Sequence, residues 1–423
     1  MQEDFLHYIW KQKKYQSVNL KTVDGIALLV KSSGTHNHLA GPDFFNAQVS
    51  IGNQLWAGNV EIHVKSSDWY VHSHEKDNNY NNVILHVVWE HDADIYRKDN
   101  SVIPTLELKN YLNQSVLDNY QKLFSKSNKW INCENDFPVI DDFLLNNWQE
   151  RLYFERLEEK SSVIQELLQK SKNNWEAVLF IMLAKNFGLN INGEAFKSMS
   201  QSINFSIIRK IQSNQQDLEA LFFGQIGLLH GNFEDAYFRS LVKQYHYLKT
   251  KFQLSNETVL PVQFFKLRPL NFPTIRLSQL ASLYTKHQNL FSKLISSQSM
   301  KEIYEIFHVS VSAYWETHYN FKTVSNQSKK ALTKAFINLL VINTIVPIKF
   351  AYAKSIGKSI SEELLDLMNQ LPVEKNSIVT KFEDLKPGKY SAFQSQAFIQ
   401  LKKMYCDKNK CLQCAIGNVL LSE

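Results

Sequence analysis

The segment of residues 41–69 constrains the fold more than any other, because its pattern is that of a β-hairpin. Glu61, His63 and Lys65 alternate with apolar residues, so one face of the second strand is ionisable and the opposite face is apolar. The first strand follows a Gly-Pro-Asp turn, which places the Asp43 carboxylate at its start. The hairpin is therefore expected to bring Asp43 near Glu61.

These residue types suit a metal-dependent hydrolytic site. The carboxylates of Asp43 and Glu61 are hard ligands for Mg²⁺ or Mn²⁺, and such an ion lowers the pKa of a bound water. Lys65 would position or deprotonate that water, and His63 would serve as a ligand or as an acid and base. The alternative is a strand face that is polar because it is exposed to solvent.

More histidines follow the hairpin. His72 and His74 lie in a polar stretch, and His86 lies among apolar residues of a second strong strand pattern. A lone histidine in that setting is usually a satisfied core residue, and we expect this of His86. If His63, His74 and His86 converge instead, they predict a histidine-rich metal hydrolase of a non-nucleotide ester.

The order of the predicted elements resembles the core of the PD-(D/E)XK nuclease superfamily. That order is a helix, a strand, the hairpin and another strand, at about residues 3–12, 24–32, 41–69 and 83–90. Asp43 corresponds to the superfamily's aspartate and Glu61 to the acid of its (D/E)-x-K motif. His63 stands where the motif has lysine, and Lys65 follows two residues later. The resemblance implies a nuclease with Mg²⁺ or Mn²⁺ on the two carboxylates, or a non-catalytic nucleic-acid-binding or scaffold protein that retains the fold.

The whole chain also resembles a bacterial family classed as a domain of unknown function. The motifs that carry this resemblance are GPDF, VEIHVKSSDW, YNNVILHVVWEHD, RPLNFPTIRLSQLA and a terminal cysteine motif. They are long, and they span nearly all of the 423 residues. Because this resemblance implies no activity, the nuclease hypothesis depends on the hairpin and on the superfamily pattern.

Beyond about residue 138 the alternating pattern gives way to helical periodicity. Apolar residues recur at spacings of three and four in the segment 143–171 and in several later segments. We therefore predict an α+β protein, in which a PD-(D/E)XK-like mixed-sheet module of residues 1–135 precedes a large all-α domain of residues 136–423.

Charge is distributed unevenly along the chain, whose formal net charge is +6. Residues 1–134 contain 13 Lys and Arg against 15 Asp and Glu, whereas the remainder contains 34 against 26. A basic remainder suits DNA or RNA as a partner. In it, Arg268 and Arg276 bracket two prolines before a predicted helix, where they would bind phosphate or fix the loop through backbone carbonyls.

The apolar runs of the sequence are shorter than the roughly 18 uninterrupted residues typical of a membrane span. The first ten residues, MQEDFLHYIW, begin with acids and so differ from a secretory signal. We expect a soluble, cytoplasmic protein without a membrane partner.

Four cysteines provide the second strong signal in the sequence. Cys406, Cys411 and Cys414 form a C-x₄-C-x₂-C motif near the end of the chain, and Cys133 is the remaining one. In a reducing compartment this pattern predicts a metal site, and a tetrahedral zinc or a [4Fe–4S] cluster needs a fourth ligand. With Cys133 as that ligand, the site would resemble those of iron–sulfur nucleases in the same superfamily. The alternative is reduced thiols that bind no metal.

Overall fold

The structure is a computed structural model that describes residues 2–125, 128–231 and 233–422. The chain divides into two compact units. The first unit comprises Met1–Trp148, Asp384–Lys386 and Leu401–Glu423. The second unit comprises Gln149–Glu383 and Pro387–Gln400. The first unit contains the β-sheet and the second is built from helices, so the predicted α+β class is confirmed.

The sheet of the first unit is mixed. Its strands are β1 (Leu28–Ser32), β2 (Thr35–His36), β3 (Phe44–Ile51), β4 (Gln54–Lys65), β5 (Val83–Glu90) and β6 (Thr105–Glu107). The strand order is β1-β3-β4-β5-β6, with β2 also pairing with β3. The pairs among β1, β2, β3 and β4 are antiparallel, whereas β4, β5 and β6 pair in parallel.

The predicted hairpin is formed by β3 and β4. A tight turn joins the strands, and Gly52 there has a φ of +59°, a left-handed conformation that suits glycine. Both faces of β4 are covered near its carboxyl end. Ile62 on the apolar face is 1% exposed, and on the other face Glu61 and His63 are 4% and 1% exposed. The ionisable face is thus an interior surface at these two residues.

Among the residues that the structure describes, four α-helices lie wholly within the first unit, namely α1 (Glu3–Gln12), α2 (Asp68–Val71), α3 (Gln114–Leu123) and, near the end of the chain, α19 (Ala415–Leu420). Helix α1 begins with two acids and buries Phe5 and Trp10, as an amphipathic helix does. Both α1 and α2 contact β4. They bring the chain's start and the β4–β5 connection close to the strand that carries Glu61.

Between Asp142 and Gln400 the described chain is almost entirely helix and loop. The helices are α4 (Asp142–Lys170), α5 (Trp175–Phe187), α6 (Leu189–Gln201), α7 (Phe205–Ile211), α8 (Gln215–Gln225), α9 (Ala236–Phe252), α10 (Pro273–Lys286), α11 (Leu290–Ser296), α12 (Met300–Ile306), α13 (Ala313–Glu316), α14 (Lys334–Leu340), α15 (Val346–Ser355), α16 (Ser361–Asn369), α17 (Ser377–Leu385) and α18 (Ala392–Gln400). The helical periodicity predicted for this region is confirmed.

One helical stretch, Lys334–Ser355, is long and apolar enough to cross a membrane by length and composition. Of its apolar window, 67% is buried. Burial of this kind is typical of a core helix in a soluble protein. The cytoplasmic location stays a prediction from the sequence.

Candidate metal centre

The start of the hairpin joins the two carboxylates that the sequence predicted to meet. The Asp43 amide donates a hydrogen bond to Glu61 Oε2 over 3.1 Å, and the Ile62 amide donates one to Asp43 Oδ2 over 2.9 Å. These side-chain contacts fasten the beginning of β3 to β4. Both acids therefore lie in one small region of the sheet.

Three imidazoles converge on the same region. The ligand-type nitrogens of His63, His72 and His74 all lie within 4.8 Å of one another, and His63 Nε2 is 3.1 Å from His72 Nδ1. His63 is on β4, whereas His72 and His74 lie in the crossover that leads from β4 to the parallel strand β5. A parallel pair requires such a crossover, and here it carries two of the three histidines over the strand.

Glu61 Oε1 lies among these nitrogens, 3.3 Å from His74 Nε2 and 3.6 Å from His63 Nε2. His74 Nε2 is buried but has no hydrogen-bond partner, even though the carboxylate is close. Metal–ligand bonds of about 2.0–2.2 Å at tetrahedral angles would hold neighbouring ligand atoms roughly 3.4 Å apart. The distances from Glu61 Oε1 to His63 and His74 are therefore close to those between neighbouring ligands of one ion.

His86 lies behind His63 and is fully buried. Its Nε2 atom is 2.8 Å from His63 Nδ1, and its own Nδ1 has no hydrogen-bond partner among the described residues. The predicted burial is thus observed, together with a specific contact. If His63 Nδ1–H donates to His86, the His63 Nε2 lone pair faces Glu61 and the other imidazoles.

Burial dominates the ionisation of this cluster. Burial first, and then the charges of His74 and His72, lower the pKa of His63 to about 3. Burial also lowers the pKa of His74, and it lowers that of His86 well below its usual range. Neutral imidazoles are the form that binds metal ions. Burial and the neighbouring Asp43 charge raise the pKa of Glu61 to about 9.

Two further histidines border the acids and were not predicted from the sequence. His7 on α1 has its Nε2 atom 3.1 Å from Asp43 Oδ2, and His36 on β2 stacks on Phe44 beside His7. Burial lowers the pKa of His7, but the contact with Asp43 more than compensates and raises it overall. The sequence feature that could have indicated them is the distribution of histidines, because eight of the 13 lie within the first 91 residues.

Lys65 is exposed at the end of β4, two residues beyond His63. Burial opposes the shift, but the Ser67 hydrogen bonds and, more weakly, the Lys65 charge lower the pKa of Asp92. Of the four predicted catalytic residues, the structure brings together Asp43, Glu61 and His63.

The two predicted phosphate-binding arginines differ in their surroundings. Arg276 is 7% exposed and donates hydrogen bonds to Gln279 and Asn271, and its guanidinium carbon lies 3.7 Å from the centre of the Phe336 ring. Arg268 is exposed before the short turn that leads into α10. Only Arg268 is thus placed where a nucleic acid can reach it without rearrangement.

The four cysteines lie together within the first unit. All four line one pocket and are free of disulfide bonds. They are Cys133, Cys406, Cys411 and Cys414. Burial, followed by the charges of the other cysteines, raises the pKa of Cys133 to about 12. Burial raises the pKa of Cys414 to about 11 although backbone amides oppose it. The four cysteines predicted to form one site therefore lie close together, and metal binding by them stays a prediction.

Residues 3–377 match the model of a protein family described as "Protein of unknown function (DUF2851)". Since the match covers most of the sequence, the chain belongs to this family. The membership predicted from the sequence motifs is thereby confirmed. Neither the curated proteins nor the solved structures that were searched contain a match to the chain.

Proposed function

We propose that the protein is a metal-dependent hydrolase of phosphate esters. Its first divalent metal would be bound by His63, His72 and His74, with the Glu61 carboxylate beside them. The observation that carries this proposal is the convergence of three imidazole nitrogens, two of which lie within 3.6 Å of a buried carboxylate oxygen. A ligand set of nitrogen and oxygen suits Zn²⁺ and Mn²⁺.

The missing hydrogen bond at His74 supports a metal over a network of imidazoles. Leaving a buried polar atom unpaired costs about 1–3 kcal/mol, so such atoms are usually satisfied. His74 Nε2 is buried beside Glu61 Oε1 and makes no hydrogen bond. A cation between the two atoms would satisfy both of them and would neutralise the buried carboxylate.

The exposure of His72 supports catalysis rather than a purely structural role. His63 is buried and His74 is partly buried, but His72 is exposed, so one side of the ligand set borders solvent. Catalytic metal sites keep such an open position for water or substrate. There the metal would lower the pKa of a water molecule to generate the nucleophile.

The second oxygen of Glu61 supports a phosphate ester as the substrate. Glu61 Oε2 accepts a hydrogen bond from the Asp43 backbone amide, and the Asp43 Oδ2 atom pairs with His7 Nε2 at 3.1 Å. A second nitrogen and oxygen pair, that of His7 and Asp43, thus lies next to Glu61. A carboxylate between two metal positions is a feature of two-metal phosphoesterases, including nucleases.

DNA and RNA are the first substrates to test, with Asp43 and Glu61 as Mg²⁺ or Mn²⁺ ligands, as the nuclease resemblance implies. A role for Lys65 has no support from its exposed position. A second candidate function, hydrolysis of a non-nucleotide ester, is favoured by the convergence of three imidazoles.

Metal binding tests the proposal most directly. After removal of metals with a chelator, we expect the protein to bind Zn²⁺ and Mn²⁺, measured by calorimetry. Losing a residue that contacts only a metal ligand, and not the metal, weakens binding about 10- to 100-fold. His74→Gln should weaken the binding of these ions by more than this, because it removes a ligand. His91→Gln is the matched control, because His91 contacts Ser66 and Asp94 outside the cluster. Equal binding by the His74 variant and the wild type would reject the ligand set.

Activity is then measured on plasmid DNA, RNA, a nitrophenyl phosphodiester and a nitrophenyl carboxylic ester. We expect metal-dependent cleavage of phosphodiesters, lowered at least about 100-fold in Glu61→Gln, which keeps the volume of the side chain but removes its charge. Cleavage of the carboxylic ester alone would favour the second candidate. Salt-dependent binding of nucleic acid without any cleavage would favour a non-catalytic scaffold.

A further inference from the structure

We infer that the four cysteines hold a [4Fe–4S] cluster within the first unit. This site is separate from the histidine cluster and does not depend on the proposed hydrolase activity. The chain has four cysteines, and all four line one pocket. Cys133 lies between α3 and α4, whereas the others lie beyond residue 400. Thiols from such distant segments meet without forming a disulfide.

The spacing of the sulfur atoms favours a cluster over a single ion. Four thiolates around zinc, with bonds of about 2.3 Å, would place their sulfurs roughly 3.8 Å apart. Among the described residues, which include all four cysteines, the one group of three ligand atoms within 4.8 Å of one another is the histidine set. The thiols are therefore spread more widely than zinc requires. In a [4Fe–4S] cluster each cysteine binds a different iron, so the sulfurs lie further apart.

The pocket provides an apolar lining for such a group. Leu123, Leu401 and Ile416 contribute to its wall, and Cys133 and Cys414 are buried. An apolar, largely enclosed wall limits the access of water to a bound cluster.

Hydrogen-bond donors point at two of the sulfurs. Asn132 Nδ2 donates to Cys411 Sγ over 3.4 Å, and the backbone amides of Ile416 and Gly417 donate to the Cys414 sulfur. Such donors stabilise the negative charge that thiolate ligands carry, and they tune the potential of iron–sulfur clusters.

Gly417 keeps the two halves of the terminal motif together. A Cβ atom at this position would lie 2.1 Å from the Cys411 carbonyl oxygen, a separation that no side chain can tolerate. The backbone of α19 thus packs directly on the turn that carries Cys411. This close approach holds Cys411 and Cys414 on the same side of the pocket.

The test uses the full chain, expressed with added iron and sulfide sources and purified without oxygen. We expect about four iron and four acid-labile sulfide ions per chain, with broad visible absorption that bleaches on reduction. Cys133→Ser and Cys411→Ser should each lose most of the iron, whereas Met404→Leu, a neighbour outside the ligand set, should retain it. His74→Gln should also retain the iron, which separates this site from the histidine cluster.

Several results would overturn the inference. Wild-type protein with one zinc per chain and no sulfide would replace the cluster by a zinc site. Wild-type protein without iron or zinc would show that the thiols bind neither. Full iron content in Cys133→Ser would exclude Cys133 as a ligand. These analyses of the wild type do not depend on whether the cysteine variants fold.

Discussion

The two units treat buried ionisable groups in different ways. In the second unit, Glu219 is 1% exposed and accepts hydrogen bonds from the hydroxyls of Tyr237, Ser278 and Ser312. Lys330, also 1% exposed, donates to the backbone carbonyls of the segment 315–318. Each charge is surrounded by protein groups of the complementary kind.

In the first unit, by contrast, histidines and carboxylates converge on one small region of the sheet. His7 Nε2 pairs with Asp43 Oδ2 at 3.1 Å, whereas His74 Nε2 and His86 Nδ1 make no hydrogen bond in the described chain. Burial is similar in the two units, so burial alone does not identify a site. What distinguishes the histidine cluster is that three imidazole nitrogens lie within 4.8 Å of one another beside a buried carboxylate, the arrangement on which the proposed metal site depends.

The largest effect expected from this comparison is on the stability of the second unit. Glu219→Ala would leave three hydroxyls without their acceptor and open a cavity, so we expect a loss of at least about 3 kcal/mol in the free energy of unfolding. Denaturant unfolding of the full chain measures it. Glu363→Ala, which removes an exposed acid of the same unit, should cost less than about 1 kcal/mol. Loss of divalent-metal binding in folded Glu219→Ala would contradict the distinction between the units.

The same carboxyl should contribute a pH dependence. Burial raises the pKa of Glu219 above its usual value of 4.5, although the hydroxyls oppose this shift. The folded state therefore keeps this proton to a higher pH than the unfolded state does. The contribution of Glu219 to stability is complete below about pH 4.5 and is lost as the pH rises through the folded pKa. Glu219→Gln should remove this part of the slope in a series of unfolding measurements, and an unchanged slope would be inconsistent with it.

A positioning role for His86 predicts a smaller effect on metal binding. His86→Gln should weaken the affinity for Zn²⁺ about 10- to 100-fold, because His63 loses the partner that orients its ring. In calorimetry the stoichiometry should stay unchanged while the dissociation constant rises. If the variant loses stability but binds zinc as tightly as the wild type, His86 is only a core residue.

Arg276 should behave like Glu219 rather than like the histidines. Arg276→Lys retains the charge but loses the planar group over Phe336 and its two hydrogen bonds, so we expect a cost of about 1–2 kcal/mol. Any affinity for DNA or RNA should stay the same, whereas Arg268→Ala should lower it. A binding assay at several salt concentrations measures this affinity. If Arg276→Lys lowered it and Arg268→Ala did not, Arg276 would again be the candidate phosphate ligand.

The smallest effect is expected at Lys65. Because the side chain is exposed, Lys65→Ala should change metal affinity and hydrolysis by less than about threefold. A large loss of hydrolysis with unchanged metal binding would show that Lys65 approaches the substrate, as in a PD-(D/E)XK site.

Local patterns predicted much of the first unit's secondary structure. The helix at residues 3–12 and the strand at 83–90 begin and end as expected. The strand predicted from residue 24 begins only at Leu28, because a turn precedes it in which Gly25 has a φ of +77°. Strong periodicity was thus sufficient to predict the helix and the strand at 83–90. The late start of β1 depends on the backbone conformation of Gly25, which periodicity does not encode.

The site was less accessible to sequence reasoning. Alternation placed Glu61 and His63 on one face, and the Gly-Pro-Asp turn brought Asp43 to them. His72 replaced His86 in the converging set because the crossover after β4 folds back over the strand, a path that no local spacing encodes. His7 depends on how α1 contacts β4, which is likewise a tertiary property.

The first unit is formed by separate segments of the chain, and this has a consequence for its synthesis. Residues 401–422 belong with the sheet, so the ribosome must translate the segments of the second unit before the first can be completed. In the interval the nascent sheet lacks α19 and three of its four cysteines, and it exposes apolar surface such as Leu123. Contacts of such long sequence separation form slowly. Completion of the first unit therefore waits for residues 401–422 to be translated.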